Sequence, residues 1–218
     1  MGDAKFNAAR AALRYIKDGM VVGLGSGRTA RLFVRLLGES GRRVRCVPTS
    51  EETAGAARKA GLRLAGLEDV SGVDVAVDGA DVVDSNFNLI KGLGGALARE
   101  KVVDYAAAQF VVIVDEGKLR ERLGGIVPIE VLPFAAPEVA RALRKRFGSQ
   151  VLLRKKGREP FVTDNGNHIL DAGFELIEKP ERMEEELQLI PGVVANGIFA
   201  RRRPVIIVGD ERGARILE

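Results

Sequence analysis

MVVGLGSGRTARLF, residues 20–33, decides how this chain folds. Its first half is apolar and valine-rich, as in a strand buried on both faces of a parallel sheet. Gly23, Gly25 and Gly27 then interrupt it, and RTARLFVRLLGES (28–40) carries apolar residues at helical spacing. A strand, a glycine loop and a helix in that order are the first step of a doubly wound α/β sheet.

The rhythm repeats outward from there. VRCVP (44–48), VDVAVDG (73–79) and FVVIVDE (110–116) read as further buried parallel strands, with SEETAGAARKAG (50–61) as a helix between the first two. After Gly124-Gly125 the order changes. IVPIEVLPF (126–134) reads as a strand and APEVARALRKRF (136–147) as a helix. Strands are expected near VLLRK (151–155), FVTD (161–164) and HILDAGFEL (168–176), with a tight turn at Asn165-Gly166. ERMEEELQLI (181–190) is the next helix, and VVANGIFA (193–200) follows it. RPVIIVGD (203–210) returns to the first pattern and is expected to rejoin the first sheet. The expected fold is therefore a Rossmann-like, mostly parallel α/β core over residues 1–125 and 200–218. A small α+β domain at 126–199 is inserted into it as a lid.

Composition bounds the chemistry. The 218 residues, 46% hydrophobic and 29% charged, suit one large or two small domains with a real core. No apolar run approaches the roughly 20 residues of a membrane span. MGDAKFNAARAALRYIKDG (1–19) reads as an amphipathic helix rather than a signal peptide, so a cytoplasmic location is expected. Cys46, the one cysteine, lies in an apolar run and reads as a buried structural thiol; one cysteine excludes an internal disulfide. His168, the one histidine, stands outside every glycine-rich motif, so neither a histidine-rich metal site nor a Cys–His catalytic pair is expected. Carboxylates, lysines and backbone amides are left to carry the chemistry. The net charge of +4 comes with scattered basic runs at 141–146, 154–156 and 201–203, with no Trp and two Tyr. Base-stacking platforms need such rings, so the runs read as solvated or subunit-facing rather than as a nucleic-acid surface.

Each expected parallel strand ends in groups suited to a ligand: GLGSGRT, PTS, DGAD and DEGK. Ligands of open α/β sheets bind at the carboxyl ends of the strands. Ser26, Gly27, Thr29, Thr49, Ser50, Asp78, Asp81 and Lys118 are thus expected to converge. The GLGSGRT loop opens a helix, where amides and the helix dipole attract an anion. Gly25, Gly27 and Ala30 loosely match a dinucleotide loop, but the next strand ends in PTS, without the acidic residue that binds a ribose diol. A phosphate monoester is preferred. Asp78 and Asp81 can orient hydroxyls, exchange protons or hold a metal; a magnesium site from Asp78, Asp81 and Glu100 stays open, although nothing in the spacing demands it. Asp84 reads as a solvated turn residue.

IKGLGGALAREK (90–101) places a carboxylate behind a glycine-rich loop. A helix starting near Ala96 puts Leu97, Val103 and Ala107 on the face of Glu100. A carboxylate on that face is partly desolvated, the environment of a working base. Gly92, Gly94 and Gly95 let amides approach a ligand, and with Lys91 they can stabilise an oxyanion formed beside a carbonyl.

Together, VVGLGSGRTARLF, VPTSEET, VDVAVDGADVVD, NLIKGLGGALAREK, VDEGK, GGIVPIEVLP, VTDNGNHILD and IPGVVANGIFA resemble the type A ribose-5-phosphate isomerase family. The resemblance implies metal- and cofactor-free interconversion of ribose 5-phosphate and ribulose 5-phosphate through an enediol, in the non-oxidative pentose phosphate pathway. It implies Glu100 as the base and Lys91 with nearby amides as the enediolate site. Asp78 and Asp81 would assist ring opening and hydroxyl binding, joined by Lys118. Phosphate would fall on Ser26, Gly27, Arg28 and Thr29, with Lys5 and also Thr49 and Ser50. The resemblance also implies that the insert is ferredoxin-like and serves oligomerisation, into homodimers or homotetramers. Three positions depart from the family pattern: Arg28 for a small hydroxyl residue, Leu93 for a small or polar one, and Gly117 for serine. Two other functions compete. A non-catalytic sugar-phosphate sensor would keep the GSGRT loop but have no use for Glu100, Lys91 and the DGAD pair together. Acyl transfer through Glu100 would need room for a large thioester, which nothing in the sequence marks.

Overall fold

In the computed structural model, which describes residues 3–217, strands and helices follow the expected alternation. The strands are β1 (Val21–Leu24), β2 (Arg45–Pro48), β3 (Arg63–Leu64), β4 (Val73–Asp78), β5 (Val82–Val83), β6 (Leu89–Ile90), β7 (Ala107–Asp115) and β8 (Gly125–Val131). They continue as β9 (Gln150–Leu153), β10 (Lys155–Lys156), β11 (Glu159–Pro160), β12 (His168–Phe174), β13 (Val193–Asn196), β14 (Ile198–Phe199), β15 (Val205–Gly209) and β16 (Ala214–Leu217). The α-helices are α1 (Ala4–Ala12), α2 (Arg28–Glu39), α3 (Glu51–Lys59), α4 (Leu97–Ala106), α5 (Ala136–Phe147) and α6 (Pro180–Gln188).

The chain divides into two compact units. Unit one holds the residues up to Ala80, Arg99–Leu119 and Arg203 onward; unit two holds Asp81–Ala98 and Arg120–Arg202. These bounds differ from the expected breaks at 125/126 and 199/200. Residues 81–98 and 120–125, read as core, pack with unit two. The reason is the short sheet β14–β6–β5, which ties 82–90 to Ile198 and Phe199.

Unit one is built on a seven-stranded sheet in the order β16–β15–β7–β4–β1–β2–β3. All its pairs are parallel except β15–β16, which closes one edge. β15 rejoins this sheet beside β7, as RPVIIVGD led one to expect. Strand order reverses between β1 and β4: β2 and β3 run off one side, β7 and β15 off the other. That reversal is the switch point at which ligands of such sheets bind. Helix α2 buries Ala30, Phe33, Val34 and Leu37, an i, i+3, i+4, i+7 stripe, and Phe33, Val34 and Leu37 share a core cluster with Val22, Leu24, Val75 and Val77. Cys46 is buried in the same cluster, and desolvation pushes its thiol up to about 12, so it acts as a small apolar side chain.

Unit two contains a four-stranded antiparallel sheet in the order β13–β8–β12–β9, with α5 between β8 and β9 and α6 between β12 and β13. This is the ferredoxin-like βαββαβ arrangement. Helix α5 buries Ala136, Val139, Ala140 and Leu143 and stops at Gly148, whose φ of 65° a side chain rarely adopts. The Asn165-Gly166 turn forms, with Gly166 at φ 79°, but a single bridge, Val162 to His168, flanks it instead of two full strands. Asp84, expected at a solvated turn, is buried: its carboxylate accepts the Asn86 and Asn88 amides at 2.9 and 2.8 Å and the Asn88 side chain at 2.8 Å. A turn this rich in donors satisfies a carboxylate without water.

Candidate active site

At the switch point of unit one, β1 runs out at Leu24 into Gly25 and Ser26. Here the loop hydroxyls are drawn into a relay. Ser26 Oγ donates to Ser50 Oγ at 2.8 Å, Ser50 Oγ to Thr53 Oγ1 at 3.0 Å, and Thr53 Oγ1 to the Gly25 carbonyl at 3.0 Å. Thr49 Oγ1 lies 2.9 Å from Ser26 Oγ and donates to the Leu24 carbonyl at 3.0 Å. Thr49 and Ser50, both buried, therefore hold the loop from within, while Ser26 remains half-exposed. Thr53 was missed in the sequence. Its signal was the Ser50-x-x-Thr53 spacing of a helix start, where Ser50 Oγ also accepts the Thr53 amide at 3.1 Å.

Helix α2 opens at Arg28 with Gly27, at φ 94°, in the capping position and no side-chain cap. Its first-turn amides are left for an anion. Helices α1 and α3 are instead capped by Asp3 and Ser50. Thr29 is half-buried in that first turn and Arg28 is exposed. At the neighbouring strand end, Asp78 is fully buried, and its Oδ1 accepts the amides of Ser26 at 3.1 Å and Gly79 at 2.6 Å. Asp78 thus joins the ends of β1 and β4 and spends one oxygen on the backbone.

Helix α4 starts at Leu97, one residue later than expected, and Ala107 opens β7 rather than continuing the helix. Glu100, in the first turn, is 5% exposed; Val103 on the same face lies against Gly23 of β1, where a Cβ would come within 2.5 Å of its Cγ1. Asp104, one turn on from Glu100, is fully buried and was not singled out from sequence, although its i+4 spacing was there to see. At the end of β7, Lys5 Nζ lies 3.8 Å from Asp115 Oδ2, and Lys118 is half-buried in the turn that follows. The structure thus ties Lys5 to the β7 end, two strands along from the β1 loop. A Cβ on Gly117 would stand 2.9 Å from Asp115 Oδ1, which accounts for a glycine there.

In unit two, the loop 91–95 alternates committed and uncommitted amides. Lys91 N–H donates to the Gly197 carbonyl at 2.9 Å, Leu93 N–H to Asp81 Oδ2 at 3.0 Å, and Gly95 N–H to the Gly92 carbonyl at 3.0 Å. Gly92 and Gly94 N–H donate to no group among the described residues. Of the three expected glycine donors, Gly95 is therefore spent on the turn. Gly92 and Gly95 have φ of 94° and 91°, and a Cβ on Gly95 would stand 2.6 Å from Phe161 Cζ. The Lys91 side chain is buried, its Nζ 5.3 Å from the centre of the Phe199 ring. The Leu93 side chain is 47% exposed, so its departure from the family pattern leaves the loop's backbone bonds untouched. Among the described residues, no group of three or more His, Cys, Asp or Glu is placed to hold a metal ion.

A family model described as ribose 5-phosphate isomerase A (phosphoriboisomerase A) matches residues 45–213. Ribose-5-phosphate isomerase A of Thermococcus kodakarensis is 46% identical over 99% of this chain and 98% of its own length. The protein of the same name from Methanothermobacter thermautotrophicus is 47% identical over 96% of this chain and 95% of its own. Among solved structures, ribose 5-phosphate isomerase A from Methanocaldococcus jannaschii superimposes with a TM-score of 0.93 at 42% identity, covering 99% of this chain and 98% of that one. A D-ribose-5-phosphate isomerase in complex with phospho-erythronic acid gives 0.94 at 44% identity, covering 99% and 97%.

Proposed function

Because the chain belongs to the ribose 5-phosphate isomerase A family and so interconverts ribose 5-phosphate and ribulose 5-phosphate, we propose that Glu100 moves the proton between C2 and C1. One observation carries this assignment. Glu100 is a buried carboxylate in the first helical turn after a glycine loop whose Gly92 and Gly94 amides are uncommitted. In the open-chain aldose, Glu100 takes the proton from C2 and the electron pair moves onto the C1 oxygen, giving an enediolate. The C2 hydroxyl proton passes to O1, and as Glu100 returns its proton to C1 the electron pair on O2 forms the carbonyl at C2. Lys91 and the Gly94 amide stabilise the enediolate oxygens, since preorganised donors act most strongly on charge that develops in the transition state. Asp81, with Oδ2 held by Leu93, keeps Oδ1 for substrate hydroxyls, and Lys118 joins it. Phosphate takes the uncapped start of α2 with Ser26 and Thr29, and Lys5 supplies charge.

Turnover in deuterium oxide tests the proton route. Partial entry of deuterium at C1 of ribulose 5-phosphate is expected, because Glu100 can exchange the proton with solvent before returning it; incorporation at an undiminished rate in Glu100→Gln would overturn Glu100 as the base. Lys5→Ala and Thr29→Ala are expected to raise KM about tenfold and leave kcat within about twofold, the mark of an interaction made equally in ground and transition states. Steady-state kinetics on each variant decides it: a fall in kcat at unchanged KM would overturn the phosphate assignment.

Assembly into a homodimer or homotetramer is supported by apolar side chains that unit two leaves in water, Phe134 at 97%, Leu189 at 76% and Leu152 at 72% exposure. No helix among the described residues is long and apolar enough to cross a membrane.

A further inference from the structure

Arg154 stands in a basic run expected on a solvated or subunit-facing surface, yet its side chain is 13% exposed. Its guanidinium grips Asp171 with two parallel bonds, Nε to Oδ2 at 2.9 Å and Nη2 to Oδ1. The remaining nitrogen, Nη1, donates to the Leu93 carbonyl at 2.9 Å and the Gly92 carbonyl at 3.3 Å. Both ends of this bridge are rigid. Asp171 lies within β12, paired to Pro128 of β8 and Leu152 of β9. The Arg154 amide donates to the Ile169 carbonyl at 2.8 Å, and its own carbonyl accepts Phe161 N–H at 2.9 Å. The Phe161 ring, 5.9 Å below the guanidinium, is the one that packs on Gly95.

We propose that Arg154, locked by Asp171, is a positioning residue that aims and polarises the Gly94 amide as an oxyanion donor. The geometry is that of a single peptide plane. Leu93 C=O and Gly94 N–H belong to the same planar trans unit and point in opposite directions. A cation fixed on the carbonyl therefore sets where the N–H points, and it draws electron density along the plane so that the N–H becomes a stronger donor. Asp81 does the complementary work on the preceding plane, where it accepts Leu93 N–H while Arg154 holds Gly92 C=O. The two charged groups leave the loop one orientation.

The inference rests on the assignment of loop 91–95 to the enediolate, so Lys91→Met is measured beside the Arg154 variants. Phospho-erythronic acid is the probe, since its carboxylate places one negative charge across two oxygens, as the enediolate places one negative charge beside a hydroxyl. For Arg154→Lys and Arg154→Ala, kcat is expected to fall about 10- to 100-fold with KM within about threefold. Affinity for the probe should weaken in the same ratio as kcat/KM. Added guanidinium ion should restore part of the Arg154→Ala rate. Because Arg154→Ala strands the Asp171 charge, Arg154→Met with Asp171→Leu, which removes both charges and keeps apolar volume, provides a folded comparison with the same expected losses. Unchanged kcat and probe affinity in these variants, with Lys91→Met inactive, would overturn the positioning role alone. Lost kcat at wild-type probe affinity per active site would make Arg154 merely structural and overturn it as well. Retained turnover in Lys91→Met would instead remove the loop assignment beneath it.

Discussion

Glu100→Gln is expected to lose turnover of ribose 5-phosphate by about 1,000-fold, within the roughly hundred- to ten-thousand-fold that a positioned base contributes. The amide has the shape of the carboxylate and fills the same space, but it cannot accept the C2 proton. Substrate should bind as before, because the proposed phosphate site, at the start of α2, is a different element. Phospho-erythronic acid affinity measured by titration calorimetry should therefore change by less than about threefold. Stability should hold, since the amide fills the same volume at this 5% exposed position and keeps polar atoms there. Loss of rate with a maintained melting temperature is the signature of a group kept for chemistry rather than for the fold. A fully active Glu100→Gln would transfer the base to another carboxylate.

Gly25→Ala should damage both rate and stability. A Cβ at Gly25 would overlap Asp78 Oδ1 and Cγ at the reversal point of the sheet. Asp78 is fully buried and holds the Ser26 and Gly79 amides, so it has nowhere to go without breaking those bonds. Either the ends of β1 and β4 separate or the carboxylate is expelled; in both cases the phosphate loop and the DGAD segment shift. Displacement on the scale of an ångström is worth about 100-fold in kcat/KM, and overpacking of this kind costs about 1–3 kcal/mol. Gly55→Ala is the control. Gly55 lies within α3, and a Cβ there would meet nothing inside 4 Å, so alanine should stabilise by about 0.5–1 kcal/mol and leave the rate alone. Thermal melts and initial rates on the pair distinguish local overlap at the site from a general intolerance of added methyl groups. Wild-type rate and melting temperature in Gly25→Ala would show that Asp78 is free to move.

The large elements were legible because each is declared by its own residues. β1, β2, β4, β7 and β15 are short apolar runs ending at glycine, aspartate or proline, and α2 and α5 carry their buried stripes in their own spacing. The carboxyl ends of those strands, where Ser26 and Asp78 stand, were legible as a candidate site once the alternation fixed the strand direction. Two-residue strands such as β3, β5 and β6 have no period to read, and the association of 81–98 with unit two depended on β6 meeting β14 more than a hundred residues away.

By itself, the sequence determined which groups are present and the local structure that bears them: an α/β sheet, a glycine loop opening a helix, and a glutamate in the turn after Lys91. Only the tertiary structure decided how each polar group is spent. Thr49 and Ser50 turn inward to the relay, Leu93 N–H goes to Asp81, and Gly95 N–H closes its own turn, which leaves Gly92 and Gly94 as donors. Arg154 reads as surface charge until Asp171 and the 92–93 carbonyls are seen around it. The reason is physical. Hydrophobic period is a property of neighbouring residues, whereas a hydrogen bond's partner is whatever group the folded chain brings within about 3 Å, and for Leu93 and Arg154 that group lies 12 and 62 residues away.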